Sequence, residues 1–233
     1  MKTKNNLRKI LAILLACAMT LAFAACGASP ANGDKPADDG TIKIAIIKQL
    51  DHASLDEIAN AVAERLTEMN EAGEAKIEFS ISSGQNDQTI LKQLCDQAIA
   101  DKVDVIIPIA TTAAQVAALS AEGTGVKVVY AAVSDPESAK LTGIDYVSGT
   151  CDALNTEFII NMMLAQNPDV KKVGLLYSLS EPNSATPIAD AKTVLEAKGI
   201  EYVEQTANTN DEVVAAASAL IAAGVDAVFT PTD

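Results

Sequence analysis

Side chains able to carry catalysis are sparse in these 233 residues, which hold one His (His52), four Cys and no Trp. No G-x-S-x-G, G-x-x-x-x-G-K-[ST], G-x-G-x-x-G or H-E-x-x-H run occurs, so the spacings that build a nucleophile elbow, a phosphate cradle, a dinucleotide site or a zinc pair are missing. A lone His among scattered carboxylates makes no acid–base or metal constellation, and neither an enzyme, a cofactor nor a metal is expected. The residues do offer polar recognition. Apolar runs end repeatedly in polar loops: Gln49 to Ser54 with His52, Ala110-Thr111-Thr112, Ser134-Asp135-Pro136, and Tyr177-Ser178 followed by Glu181-Pro182-Asn183-Ser184. Backbone N–H groups at helix starts suit a carboxylate, helped by the helix dipole, and an acid such as Asp135 facing them suits an ammonium. Plainer readings stay open beside these. Thr111, Thr112, Asn183 or Ser184 cap a helix, Asp135 belongs to an Asp-Pro turn, His52 is a loop residue, and Tyr177 either stacks on a flat ligand or packs in the core.

The elements that must position these loops follow from periodicity. Short apolar runs rich in β-branched residues read as buried strands at Ile42–Ile47, Lys76–Ile81, Val103–Ile109, Val126–Val133, Lys172–Tyr177, Glu201–Gln205 and Val225–Thr230. Between them lie stretches with helical spacing: Leu55, Ile58, Val62, Leu66 and Met69, then Asp87–Ala100, Thr112–Glu122, Ala153–Ala165, Asn183–Lys198 and Asp211–Ala223. Continuous apolar strands alternating with helices predict an α/β fold with parallel sheets covered on both faces. The second set repeats the first. KIAIIKQLDHAS (Lys43–Ser54) aligns without a gap on KVGLLYSLSEPN (Lys172–Asn183), Asn86-Asp87 matches Asn210-Asp211, and VDVIIPIAT (Val103–Thr111) matches VDAVFTPTD (Val225–Asp233). Two like-built Rossmann-like lobes are expected, 42–149 and 150–233, with Val147 to Thr150 as the junction and a hinge cleft outside the carboxyl ends of the strands. Unrelated βα units also look alike through shared physics. Because the second set stops at its third strand, a C-terminally incomplete second lobe is expected.

The first forty residues are of another kind. Lys2, Lys4, Arg8 and Lys9 precede a sixteen-residue apolar run, Ile10 to Ala25, which is shorter than the roughly 20 residues a spanning helix needs. Phe23-Ala24-Ala25-Cys26-Gly27 then looks like a bacterial lipobox, with Phe where Leu is usual. The expectation is a lipoprotein signal peptide over 1–26, with Cys26 acylated as the mature N-terminus, and a flexible Gly/Pro/Asp tether over 27–41; an uncleaved anchor is the alternative. Either places the body outside the cytoplasm, held at a membrane. The chain carries 17 Lys+Arg against 31 Asp+Glu, a net of −14 with four of the positives in that leader, which argues against nucleic acid as a partner. Of the remaining thiols, Cys95 shares a helix face with Ile90, Leu91 and Leu94, and a Cys95–Cys151 disulfide is possible but not established by spacing.

An acylatable Cys, a polar tether and two Rossmann-like lobes resemble the solute-binding lipoproteins of ABC importers. IAIIKQLDHASLDEIANAV, DQTILKQLCDQAIADKVDVIIPIATTAAQ, VVYAAVSDPESA, and VGLLYSLSEPNS with VDAVFTPTD look like the substrate-binding family that includes tryptophan- and tyrosine-binding proteins. The likeness covers residues 42–233. It implies a type I periplasmic-binding-protein-like fold whose lobes close over a small, amino-acid-like solute and deliver it to a permease and its ATPase. It also marks Asp152 and Asp233, which resemble acidic positions kept near the family's hinge; helix capping is the rival reading of Asp152. An extracytoplasmic sensor feeding a receptor kinase or chemoreceptor would use the same binding chemistry.

Overall fold

A computed structural model describes residues 40–232. The leader, the acylation candidate Cys26, most of the tether and Asp233 lie outside the described residues.

The chain enters at strand β1 (Thr41–Lys48), followed by helix α1 (Ala53–Glu71), β2 (Lys76–Ser83), α2 (Gln88–Ala100), β3 (Val105–Ile109), α3 (Thr111–Ala121), β4 (Lys127–Tyr130) and β5 (Val147–Gly149). These five strands form one parallel sheet in the order β2-β1-β3-β4-β5. Ile44 to Ile47 are buried in succession because both faces of β1 are covered. Ile44 and Ile46 pack with Ala59 and Leu66 of α1, while Ala45 and Ile47 pack with Leu91 and Cys95 of α2 and Ala113 and Ala117 of α3. The Ala-rich inner face of α3 lets that helix sit close to the sheet.

A second parallel sheet is built from β6 (Lys172–Tyr177), β7 (Glu201–Thr206) and β8 (Ala227–Phe229), in the order β7-β6-β8. Helices α4 (Thr156–Gln166) and α5 (Ala185–Ala197) contribute Ile160, Ile188, Ala191 and Leu195 to one face, against Val173 and Leu175. On the other face, α6 (Asn210–Ala222) seats Leu220 against Gly174, where an added Cβ would come within 2.9 Å of the leucine. The order of β2-β1-β3 is thus repeated as β7-β6-β8. The internal sequence match carries one hydrogen-bond device into both halves: Asp104 accepts from the backbone N–H of Lys43 at 2.8 Å, and Asp226 accepts from those of Lys171 and Lys172 at 2.8 and 2.9 Å. Each clasp ties the base of a lobe's third strand to the base of its first. The α/β architecture with two separate parallel sheets is the one the doubled periodicity implies.

Several boundaries differ from the periodicity. The junction Val147 to Gly149 is itself a strand, paired in parallel with β4, and Gly149 is required there because a Cβ would meet the Tyr130 carbonyl at 2.2 Å. β4 stops at Tyr130, short of Val133, since Ala132 takes a positive φ of 55°. Helix α4 starts at Thr156 rather than Ala153, where Asn155 caps it by accepting from the Phe158 N–H at 3.0 Å. Asp87 caps α2 through the N–H groups of Thr89 and Ile90, but its repeat partner Asp211 lies inside the first turn of α6, which Thr209 caps. The possible Cys95–Cys151 disulfide is not formed: Cys95 is buried against the first sheet, Cys151 is exposed, and both are free.

Candidate functional site

Every loop at issue leaves the carboxyl end of a strand, where open α/β sheets gather polar groups. The backbone there is tense. Gln85 and Asn86 after β2, Ala110 after β3 and Ala132 after β4 all hold positive φ without being glycine. Ala110 is the extreme case, at φ 80° and ψ 164°, a region almost reserved for glycine; it opens α3 and is held by the bond from its N–H to the Ala131 carbonyl at 3.0 Å.

Gln49 is the centre of a first polar node. Although uncharged, it is only 3% exposed. Its Oε1 accepts from the Thr112 N–H at 3.1 Å, and its Nε2 donates to Asn86 at 3.1 Å and to Glu181 of the second lobe at 3.0 Å. Both N–H donors and one of the two carbonyl lone pairs of the amide are therefore used by the protein. Thr111 and Thr112 stand at the start of α3, 4% and 8% exposed. Ala110 offers α3 no side-chain cap, and the Gln49 side chain takes one of the first N–H groups, that of Thr112, in its place.

A second node joins Ser134, Asp152, Asn183 and the chain around residue 232. The Ser134 hydroxyl donates to Asp152 at 2.9 Å and lies 3.4 Å from the Thr232 hydroxyl; Asn183 Nδ2 donates to the Thr232 carbonyl at 3.0 Å. A third node surrounds Asp135. Its Oδ1 accepts from the Ser138 N–H at 2.9 Å, and its Oδ2 from the Ser138 hydroxyl and the second-lobe Thr186 hydroxyl, both at 2.7 Å. These donors, the Ser138 N–H foremost and then Thr186, hold the carboxyl down at about 2.

The remaining candidates stand apart. His52 caps α1, its Nδ1 accepting from the Ser54 N–H at 3.3 Å, and makes no bond across the halves. Tyr177 is turned to its own lobe: its hydroxyl donates to Glu204 at 2.8 Å, Glu204 pairs with Lys192 at 2.7 Å, and the ring packs with the second-lobe core. The Tyr177 ring thus packs at the edge of the second-lobe core. Ser184 is buried in the 3₁₀ turn Pro182–Ser184 that leads into α5 and packs beside α3. At the rim, Lys48 pairs with Asp51 at 2.9 Å and with Asp56, and Asp51 also accepts from Gln85 at 2.8 Å, which keeps the Asp51 carboxyl at about 2. Sequence reasoning missed Asn86 and Thr186 as members of the nodes, and named Glu181 only as part of the loop Glu181-Pro182-Asn183-Ser184 that matches the His52 loop. Among the described residues no cluster of His, Cys, Asp and Glu would hold a metal ion, and no helix is long and apolar enough to cross a membrane.

Comparison with known proteins gives this arrangement a family. A Tyrosine-binding protein of Clostridioides difficile (strain R20291) is 28% identical over 239 residues, covering 100% of this chain and 68% of the relative. Among solved structures, an ABC domain from Streptococcus pneumonia in complex with L-Trp superposes with a TM-score of 0.74 at 27% identity, over 83% of this chain and 66% of that one. The ligand-free, open structure of a Clostridium difficile substrate binding protein with adhesive properties superposes at 0.59 and 26% identity, over 82% and 66%. The chain thus spans about two-thirds of the length of these relatives. The family model for ABC transporter substrate binding protein matches residues 43–233, from the first strand through both sheets and every cleft loop described above, and the chain belongs to that family.

Proposed function

We propose that this protein is the solute-capturing component of an ABC importer, and that its cleft takes a small carboxylate-bearing solute, with an aromatic amino acid such as tyrosine or tryptophan foremost. The observation that carries this reading is the start of α3, where the nearly buried Thr111 and Thr112 stand at a helix N-terminus, with Gln49 holding the Thr112 N–H. Such a corner suits a carboxylate through charge-assisted hydrogen bonds and the helix dipole. The relatives named for tyrosine and complexed with L-Trp support the ligand class. In this reading Cys26 carries lipid, the body works outside the cytoplasm, and the closed form hands its solute to a permease driven by a separate ATPase. No bond of the solute is broken.

Calorimetry on the full chain with L-tyrosine, L-tryptophan and a panel of other amino acids tests it. Binding at micromolar concentration is expected for at least one aromatic amino acid, and the paired change Thr111→Val with Thr112→Val is expected to weaken it ten- to a hundredfold, from the roughly 1.5–3 kcal/mol of hydrogen bonds to a charged group. Absence of heat with every amino acid would sink the reading.

A further inference from the structure

Side-chain hydrogen bonds cross between the halves. Gln49 meets Glu181 at 3.0 Å, Asp135 meets Thr186 at 2.7 Å, and Ser134 approaches Thr232 at 3.4 Å. The two short ones share an origin: both second-lobe partners stand within six residues, on the loop after β6 and the first turn of α5. Pro182 fixes the backbone just after Glu181, and the Glu181 carbonyl accepts from the Ser184 N–H at 3.1 Å, so the loop presents both side chains from one rigid turn.

We propose that Glu181 and Thr186 are closure residues, a pair of catches that hold the second lobe against the first independently of solute contacts. It rests on the solute reading only in giving closure a purpose. Gln49 shows why Glu181 acts this way. With Oε1 on Thr112 and one Nε2 hydrogen on Asn86, its other hydrogen has Glu181 as partner. In the closed arrangement, loss of that carboxylate strands a donor that is nearly excluded from water, and opening rehydrates it. Asp135 is the complement. Ser138, on its own loop, holds the carboxylate whether or not the halves meet, so the Thr186 hydroxyl adds its bond only on closing. Bonds present in one of two arrangements shift the balance toward it, and the apparent affinity for anything held by the closed form rises with the closed fraction. Both residues are positioning residues.

Amide hydrogen exchange by mass spectrometry on the full chain, without added solute, reads this directly. Glu181→Ala and Thr186→Val are each expected to speed exchange about tenfold in segments 108–116 and 178–190, the equivalent of about 1.4 kcal/mol. Glu181→Gln, which still accepts from Gln49, and Thr186→Ser, which still donates, are expected to stay near wild type. Segment 58–70 of α1 is expected to keep its protection, which separates opening from unfolding. Rates at 108–116 and 178–190 unchanged in Glu181→Ala and Thr186→Val would overturn the proposal, as would a rise spread evenly into α1. A protein that passes this test yet binds no amino acid keeps its catches and loses the solute reading.

Discussion

Asp135 is an acid whose hydrogen bonds tie its ionisation to the meeting of two lobes. Held at about 2 by the Ser138 N–H and the Thr186 hydroxyl, its carboxyl favours the charged form more in the folded chain than in the unfolded one, where Asp titrates near about 3.9. A depressed folded value contributes stability that is complete above the unfolded value and is lost as pH falls through the folded one. The urea midpoint of the wild type is therefore expected to hold from neutral pH down to about 4 on this account, then to fall toward pH 2 more steeply than that of Asp135→Asn. The difference between the two proteins isolates Asp135, because Asp51, which Lys48 and Gln85 hold at about 2, titrates in both. At this scale the sequence was legible in part. Residue types after each strand placed Gln49, Thr112, Ser134 and Asp135 in the polar nodes, but not what each bonds. Gln49 and Glu181 are 132 positions apart, and no local pattern encodes which side chain saturates a buried amide. Tyr177 is the last residue of β6, beside the loop, and its hydroxyl bonds to Glu204 on the neighbouring strand.

The β3–α3 connection shows what an element can hold in reserve. Ala110 keeps its near-glycine backbone because its N–H is fixed to Ala131 and its carbonyl already accepts from Ala114. Strain of this kind costs about 1–3 kcal/mol, while glycine's extra freedom in the unfolded chain costs roughly 0.5–1 kcal/mol. Ala110→Gly is expected to raise stability by about 1 kcal/mol, read from urea unfolding, with α3 still starting at Thr111. Strands and helices with strong periodicity were legible within a few residues, since both faces of β1 and the inner faces of α1 and α2 announce themselves by spacing. β5 was not. Its three residues carry one apolar side chain, and pairing with β4 defines it. The late start of α4 was likewise hidden, because the cap at Asn155, not the apolar content of Ala153-Leu154, fixes where the helix begins.

As a whole molecule, the described chain is two hydrophobic systems that share no strand. Leu220 belongs to the second alone, where it meets the bare backbone of Gly174 so closely that no methyl fits between them. Leu220→Ala is expected to cost about 2–5 kcal/mol and to show it unevenly. Exchange protection is expected to fall across 172–229 while β1, β3 and α2 keep theirs; an equal loss in both halves would mean that the two cores unfold as one. The doubling of the strand order was the clearest signal in the sequence, carried by the three matched segments, which set Asp104 and Asp226 at matched positions.

The thiols divide along the same architecture. Cys95 is sealed beneath α2, its pKa pushed up to about 12 by burial, whereas Cys151 lies in the open just after β5, where the chain leaves one sheet for the other. Only thiolate attacks electrophiles, so an alkylating dye offered to the described residues selects the crossing over the core. The polypeptide thereby carries a natural attachment point for a fluorescent reporter between its two sheets.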